Sequence, residues 1–282
     1  MPAALLDGLT LSKSIEETIS KKVSDFKQKN GIIPCLAVIL AGNNAASELY
    51  VRKKQEACKN VGINSLKFYF AENVSEEELL KKVEEINSDK KIHAAIIQLP
   101  LPKHINKTKI LNALCPYKDA DGFTCWNLGR TLQGEEEFLP ATVQGIITLL
   151  EHYKIDLKGK HAVIVGHSLI VGRPLAEALL NRNATVTVCH KETKNLANHA
   201  KLADILISAV GKPNLITAKM VKKGAVVIDV GTTKVGNKLF GDIDFKNVKK
   251  KASFITPVPG GVGPMTVSSL LENTLKCAEK LR

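Results

Sequence analysis

The stretch 161–174, HAVIVGHSLIVGRP, most narrows what this chain can fold into. Four apolar residues, Ala162 to Val165, run straight into Gly166. So short an apolar run, ended by glycine, predicts a buried parallel strand. Ser168, Gly172 and Pro174 follow, then LAEALL, which has helical character, so the order is strand, tight turn, helix. The first N–H groups of such a helix point outward at the positive end of its dipole, an arrangement that suits a pyrophosphate. The spacing is G-x-S-x-x-x-G rather than G-x-G-x-x-G, and a βα turn without ligand is the other reading of the same residues.

The same alternation runs through the chain. Leu11, Ile15, Ile19, Val23 and Phe26 recur at helical spacing and predict an amphipathic opening helix. Residues 33–40 predict a buried strand, 47–62 a helix capped by Ser47 and stopped by Gly62, and 66–70 a second strand. Ser75 followed by Glu78 is a capping box ahead of a helix striped by Leu79, Leu80, Val83 and Ile86. A third strand, 94–97, ends in Gln98-Leu-Pro-Leu-Pro102, where the prolines forbid further ladder pairing. The segment 115–140 reads as an irregular connector with a functional loop, and 143–153 as a helix. Beyond it the predicted strands are 162–165, 185–189, 205–208, 226–229 and 254–255, with a short helix at 217–223. The closing segment, striped by Val267, Leu270, Leu271, Leu275, Ala278 and Leu281, predicts a helix that docks on the first domain. The expectation is an α/β protein of two domains, 1–140 plus 265–282 and 141–264, the second of Rossmann type.

Composition excludes other classes. With 282 residues, 44% apolar and 24% charged, the chain can bury a sizeable core, and no apolar run approaches a membrane span. Its six cysteines are scattered without C-x-x-C, which suggests a reducing compartment and no zinc site, and the seven histidines have no metal-ligand spacing. The net charge of +12 is spread among separated lysines, and aromatics are only 5%, so a nucleic-acid partner is not expected; the field suits an acidic small molecule or simple solubility.

Ligands of open α/β sheets bind beyond the carboxyl ends of the strands. About 20 residues past the glycine turn, an NAD-binding chain carries Asp or Glu for the ribose hydroxyls. Here that strand end offers His190 and Lys191, which with His167 favours a 2′-phosphate and hence NADP, although Glu192 follows. Tyr50 and Lys54 lie four apart, on one helix face, and Arg52 and Lys53 neighbour Lys54 in sequence. Cations close to a lysine make it easier to deprotonate, and a partly neutral lysine can move protons. A solvated Tyr–Lys pair is the plainer reading. The stretch TPVPGGVGPMT, 256–266, predicts a shaped, extended loop facing a ligand.

Taken in order, YVRKKQEACKNVGI (50–63), QLPLP (98–102), KDADGF (118–123), VGHSLIVGRP (165–174), ATVTVCH (184–190), VIDVG (227–231), GDIDF (241–245) and TPVPGGVGPMT (256–266) resemble the bifunctional methylenetetrahydrofolate dehydrogenase/methenyltetrahydrofolate cyclohydrolase family of bacterial type, nearly end to end. The resemblance implies that the first domain binds folate and the second NADP. It implies oxidation of 5,10-methylenetetrahydrofolate to the methenyl cation, then hydrolysis to 10-formyltetrahydrofolate. It implies that Lys54 handles protons in the hydrolysis, that Tyr50 lies against the folate and that Gln98 holds Lys54 in a useful state. It implies that Asp121 anchors the pterin and that Pro259, Gly260 and Gly263 shape the folate cleft. Gly166, His167, Ser168, Lys191 and Thr232 would line the cofactor site. It further implies a polyglutamylated folate, a cytoplasmic homodimer and no metal. The chain departs from the family pattern with Val143 where Pro is usual, His167 where Arg is frequent and Thr233 where Asn is common; a neutral His holds a 2′-phosphate less firmly. The competing reading is a dehydrogenase without the hydrolase step, acting on a folate or another small acidic substrate.

Overall fold

A computed structural model of the chain describes residues 2–236 and 238–281. The elements begin with β1 (Ala4–Leu5), α1 (Gly8–Asn30), β2 (Cys35–Ala41), α2 (Ala45–Val61), β3 (Asn64–Phe70) and α3 (Glu76–Ser88). There follow β4 (Ala94–Gln98), α4 (Lys107–Ala113), α5 (Cys125–Leu132), α6 (Ala141–His152), β5 (His161–Val165) and α7 (Gly172–Leu180). Then come β6 (Thr185–Cys189), α8 (Leu196–Ala200), β7 (Ile205–Ser208), β8 (Val226–Asp229), β9 (Thr233–Val235) and β10 (Lys238–Phe240). The last are α9 (Phe245–Val248), β11 (Phe254–Ile255) and α10 (Val262–Lys280).

The chain divides into two compact units. One comprises residues 13–130, 137–141 and 267–281, around a parallel sheet ordered β3-β2-β4. Strand β2 is buried on both faces: Leu36, Val38 and Leu40 enter one apolar cluster, Ala37, Ile39 and Ala41 the other. The period of two assigns alternate residues to opposite faces, and helices cover both. On one side lie Ile19 and Val23 of α1 and Val51 and Val61 of α2, with Leu270, Leu271 and Leu275 of α10. The expected return of the closing helix to this domain is thus observed. On the other side lie Leu79, Val83 and Ile86 of α3 and Ile110 of α4. The expected Ser75 cap is present, its hydroxyl accepting from the Glu78 N–H.

The other unit comprises residues 2–12, 131–136 and 142–266. Its sheet, ordered β1-β11-β8-β7-β5-β6, is parallel throughout. Residues 2–12 belong here because β1 extends this sheet beside β11, whereas the sequence placed the first domain from residue 1.

Several local expectations are corrected. Asn44, not Ser47, caps α2; its side chain accepts from the Ser47 N–H, and Ser47 lies buried inside the helix. Gly62 does end that helix, in the left-handed region at φ 82°. The segment 115–140 contains α5, although Gly129 lies within it. Residues 217–223 make only a 3-10 turn, Ala218–Met220. The loop 256–266 is helical from Val262, with Pro264 in the first turn, where its missing N–H costs nothing.

Candidate active site

In the first unit, α2, the carboxyl end of β4 and the loop before α5 bring three predicted residues together. Lys54 is buried, and its Nζ donates to Gln98 Oε1 at 3.2 Å and lies 4.0 Å from Asp121 Oδ1. Gln98 Nε2 donates to the Leu99 carbonyl at 2.9 Å, which turns the amide oxygen toward the lysine. Asp121 is 8% exposed; burial pushes its carboxyl above the usual range, Lys54 opposes that and Asp119 adds to it. The group facing Lys54 is therefore a buried carboxyl, whose ionised form Lys54 favours and burial opposes. Arg52 and Lys53 are exposed on α2, while Lys54 is buried and faces Asp121. Tyr50 shares the helix with Lys54 but is 43% exposed.

Residues not singled out from sequence hold the Asp121 loop. Lys118 is buried, and its Nζ donates to the Ile86 and Asp89 carbonyls, each at 2.8 Å, at the end of α3. Asp119 accepts from the Thr124 N–H at 2.7 Å and from Asn127 Nδ2 at 3.0 Å. Ala120 N–H donates to the Ala95 carbonyl of β4, and Asn273 of α10 donates to the Ala120 and Leu139 carbonyls at 3.0 and 3.2 Å. Gly122 sits at φ +70°, and a Cβ there would lie 2.7 Å from the Phe138 carbonyl oxygen. The clue in the sequence is one buried polar residue after another in KDADG, but their partners are far away in the chain.

In the second unit, Gly166 N–H donates to the Cys189 carbonyl at 2.8 Å and joins the ends of β5 and β6. The glycine spacing now has a cause. A Cβ on Gly172 would stand 2.0 Å from the Gly166 carbonyl oxygen, and one on Gly166, at φ +118°, would stand 2.5 Å from that of Ala209. Ser168 Oγ accepts from the Val171 N–H inside the same turn. His167 and His190 meet with ring centroids 5.0 Å apart. Lys191 is exposed, 3.7 Å from Glu192, and Thr232 is exposed beyond β8. Pro259, Gly260 and Gly263 belong to this unit. Gly260 lies at φ +106°, while a Cβ on Gly263 would meet nothing within 4 Å, so Gly263 leaves open space.

VIDVG and GDIDF acquire a role here. Asp229 accepts from the N–H groups of Gly231, Asp242 and Ile243 at 3.1, 2.9 and 3.0 Å. Asp242 accepts from Ser208 Oγ and from the N–H groups of Val210 and Lys212 at 2.9, 2.8 and 2.8 Å. The two buried carboxylates knot the loops that leave β7 and β8. Burial pushes the Asp229 carboxyl up to about 7, aided by Asp242 and opposed by the three N–H groups. The fold therefore holds a proton that the unfolded chain, at the ordinary 3.8, releases. This contribution is full below about pH 4 and is lost as pH rises to about 7, with a ceiling of about 4 kcal/mol. Urea unfolding of the parent and of Asp229→Asn between pH 5 and 8 checks it. The variant starts less stable, because an amide cannot accept all three N–H groups, and it lacks this part of the decline; parallel curves overturn the assignment.

A dinucleotide fits the second unit. The β5–α7 turn is compact, imidazole donors stand at two adjacent strand ends, and the carboxylate nearest the β6 end, Glu192, is paired with Lys191. A glycine-built turn at the carboxyl ends of a parallel sheet has the layout of a dinucleotide-binding α/β domain, and the other unit buries a lysine, an amide and a carboxyl together.

Comparison with known proteins narrows the class. Residues 6–121 match the family described as "Tetrahydrofolate dehydrogenase/cyclohydrolase, catalytic domain", and residues 140–282 match its NAD(P)-binding domain. The bifunctional protein FolD of Nitratiruptor sp. is 54% identical over 276 residues, covering 98% of each chain. The crystal structure of the bifunctional FolD from Campylobacter jejuni superposes with a TM-score of 0.96 at 49% identity, covering 99% of each chain. That of the Trypanosoma brucei enzyme, complexed with NADP cofactor and inhibitor, has a TM-score of 0.96 at 37% identity, covering 99% of this chain and 98% of its own. This chain belongs to the tetrahydrofolate dehydrogenase/cyclohydrolase family.

Proposed function

We propose that the protein carries out NADP-dependent oxidation of 5,10-methylenetetrahydrofolate to 5,10-methenyltetrahydrofolate and then hydrolyses the product to 10-formyltetrahydrofolate. When bound, NADP supplies the oxidation by accepting a hydride from the methylene carbon. Hydrolysis of the methenyl cation adds one water and releases one proton, so a positioned group must carry protons between the water and the folate nitrogen. Lys54 takes that role: its ammonium is buried, aimed by Gln98 Oε1 and 4.0 Å from the Asp121 carboxyl. Gln98 orients it, and Asp121 accepts hydrogen bonds from the pterin's donors. Tyr50, on the same helix face, lies against the folate. Pro259, Gly260 and Gly263 shape the folate cleft, with Gly263 leaving room for the ligand. Gly166, His167, Ser168, Lys191 and Thr232 line the NADP site.

The observation that carries this reading is the Lys54–Gln98–Asp121 cluster, since a dehydrogenase alone has no need of a buried proton carrier. The reading includes a polyglutamylated folate, which the net charge of +12 attracts, a homodimer, and a cytoplasmic location that the scattered thiols suit. No described helix is long and apolar enough to cross a membrane.

The purified protein is to be mixed with 5,10-methylenetetrahydrofolate and either NADP or NAD, and the methenyl absorbance followed. Formation with NADP, followed by decay faster than in buffer, is expected. Formation without accelerated decay would reduce the protein to a dehydrogenase. Formation with neither nucleotide would overturn the cofactor assignment at Gly166–Ser168.

A further inference from the structure

We propose that an open cleft at the amino ends of β2, β3 and β4 binds a small organic carboxylate, held by the N–H of the buried His93 imidazole. The cleft is at the opposite end of this sheet from the Lys54 cluster, which stands at the carboxyl end of β4. It measures about 690 Å³, a size usual for small-molecule sites.

His93 immediately precedes β4 and is only 5% exposed. Two bonds to Cys35, at the start of β2, pin it. The His93 N–H donates to the Cys35 carbonyl at 3.0 Å, and the Cys35 N–H donates to His93 Nδ1 at 3.2 Å. A ring nitrogen that accepts carries no proton, so the neutral imidazole has its proton on Nε2. Burial holds the imidazole below its ordinary value; the Lys118 ammonium adds to this and Asp89 opposes it. The ring edge opposite Nδ1 carries Nε2, and His93 lines the cleft. Among the described residues the Nε2–H has no acceptor. A donor on so buried a side chain is costly to leave unpaired, and folded proteins seldom do so.

The surroundings select the acceptor. Lys90 and Lys91 are exposed on the rim, in the turn between α3 and β4. Among the described residues the one carboxylate that lines the cleft, Asp89, is engaged by its own turn: its Oδ1 accepts from the Lys91 N–H at 2.8 Å. Lys118 brings a third cation behind that turn, its Nζ on the Asp89 carbonyl at 2.8 Å. The cleft is therefore positive on balance, and an anionic oxygen is a stronger partner for an N–H donor than a neutral one. Ile33 and the exposed Leu66 add an apolar wall. A carboxylate on a small apolar body meets all three features. Its oxygen accepts from Nε2–H, its charge lies near the two lysines, and its body covers Leu66 and Ile33.

Benzoate is the probe, and benzamide, of similar shape without the charge, is its control. Long-range proton–nitrogen correlation spectra of the isotope-labelled protein report the tautomer of each histidine, and the spectrum of His93→Asn assigns His93. Nδ1 is expected without a proton and Nε2 with one. Benzoate is expected to shift these signals saturably at millimolar concentration, and benzamide to bind about tenfold more weakly. In His93→Asn an acceptor remains near the place of Nδ1, so the bond from Cys35 survives while the Nε2–H is lost. Followed through the Leu66 methyl signals, benzoate should bind that variant about tenfold more weakly or worse. If the variant does not fold, the pair Lys90→Gln and Lys91→Gln, both at exposed positions, carries the test: benzoate weakens by about threefold and benzamide is unaffected. The absence of any saturable shift with benzoate, which leaves the Nε2–H to water alone, overturns the proposal. So do equal binding of benzamide, a proton found on Nδ1, and benzoate binding that is undiminished in the folded variants.

Discussion

Replacing Lys54 by Met is expected to slow enzymatic hydrolysis of the methenyl cation by about 10²- to 10⁴-fold, the range in which a single positioned proton carrier contributes. Met retains most of the apolar stem, so the buried packing of α2 survives and the ammonium alone is removed. What remains is Gln98 Oε1 without its donor and Asp121 without its cation. The Asp121 carboxyl, already raised by burial, then loses the one influence that lowers it. Oxidation of the methylene compound does not pass through Lys54 on this reading and is expected to stay within about an order of magnitude of the parent. Rapid-mixing decay of the methenyl absorbance separates the two steps, and a thermal melt checks the fold. A decay rate within about threefold of the parent, in a folded variant, would remove Lys54 from the mechanism.

Gly172→Ala should be the more damaging change to the fold. Ala is the better helix former, worth about 1 kcal/mol over Gly in a helix interior. Sterics reverse that gain, because the added Cβ would stand 2.0 Å from the Gly166 carbonyl oxygen, 2.7 Å from its carbon and 2.9 Å from the His167 Cα. All three are backbone atoms, so the strain cannot be relieved by turning a side chain, and the β5–α7 turn must open. A loss of about 3 kcal/mol or more in urea unfolding is expected, at or beyond the upper end of the usual range for overpacking, together with a large fall in nucleotide affinity. Gly129→Ala is the control: its Cβ would meet nothing within 4 Å, so a neutral or slightly stabilising effect is expected there. Equal stability of Gly172→Ala and the parent would show that the turn is not closed in solution as described.

Legibility followed burial and chain distance. Strands β6, β7, β8 and β11 have the predicted limits; β7 and β8 are buried throughout, so each is a nearly continuous apolar run with sharp ends. Elements too short to show a hydrophobic period are not legible: β1 and the β9–β10 hairpin, and the short helices α4, α8 and α9. Helix α5 was hidden by Gly129 and by the exposed Trp126, which suggest a loop. Lys54, Gln98 and Asp121 were legible as motif residues, and the structure groups them. Asp229 and Asp242 were visible only as letters in two motifs. Their function depends on Gly231 and Gly241, where a Cβ would stand 2.0 Å from the Asp242 and Asp229 carboxylates respectively, a relation that spacing along the chain does not reveal. Arg52 and Lys53 show the limit of sequence adjacency: both are exposed on α2, whereas Lys54, the next residue of the helix, is buried.

The clamp of Asn273 on the Ala120 carbonyl spans 153 positions of sequence. Protein synthesis is directional, so every residue of the Lys54 cluster has left the ribosome long before the side chain that fixes the neighbouring loop is made. Leu270, Leu271 and Leu275, which close one face of the β3-β2-β4 sheet, arrive equally late. A chain that stops before residue 267 lacks these three leucines and leaves this face of the sheet uncovered, a surface of the kind that aggregates or recruits chaperones.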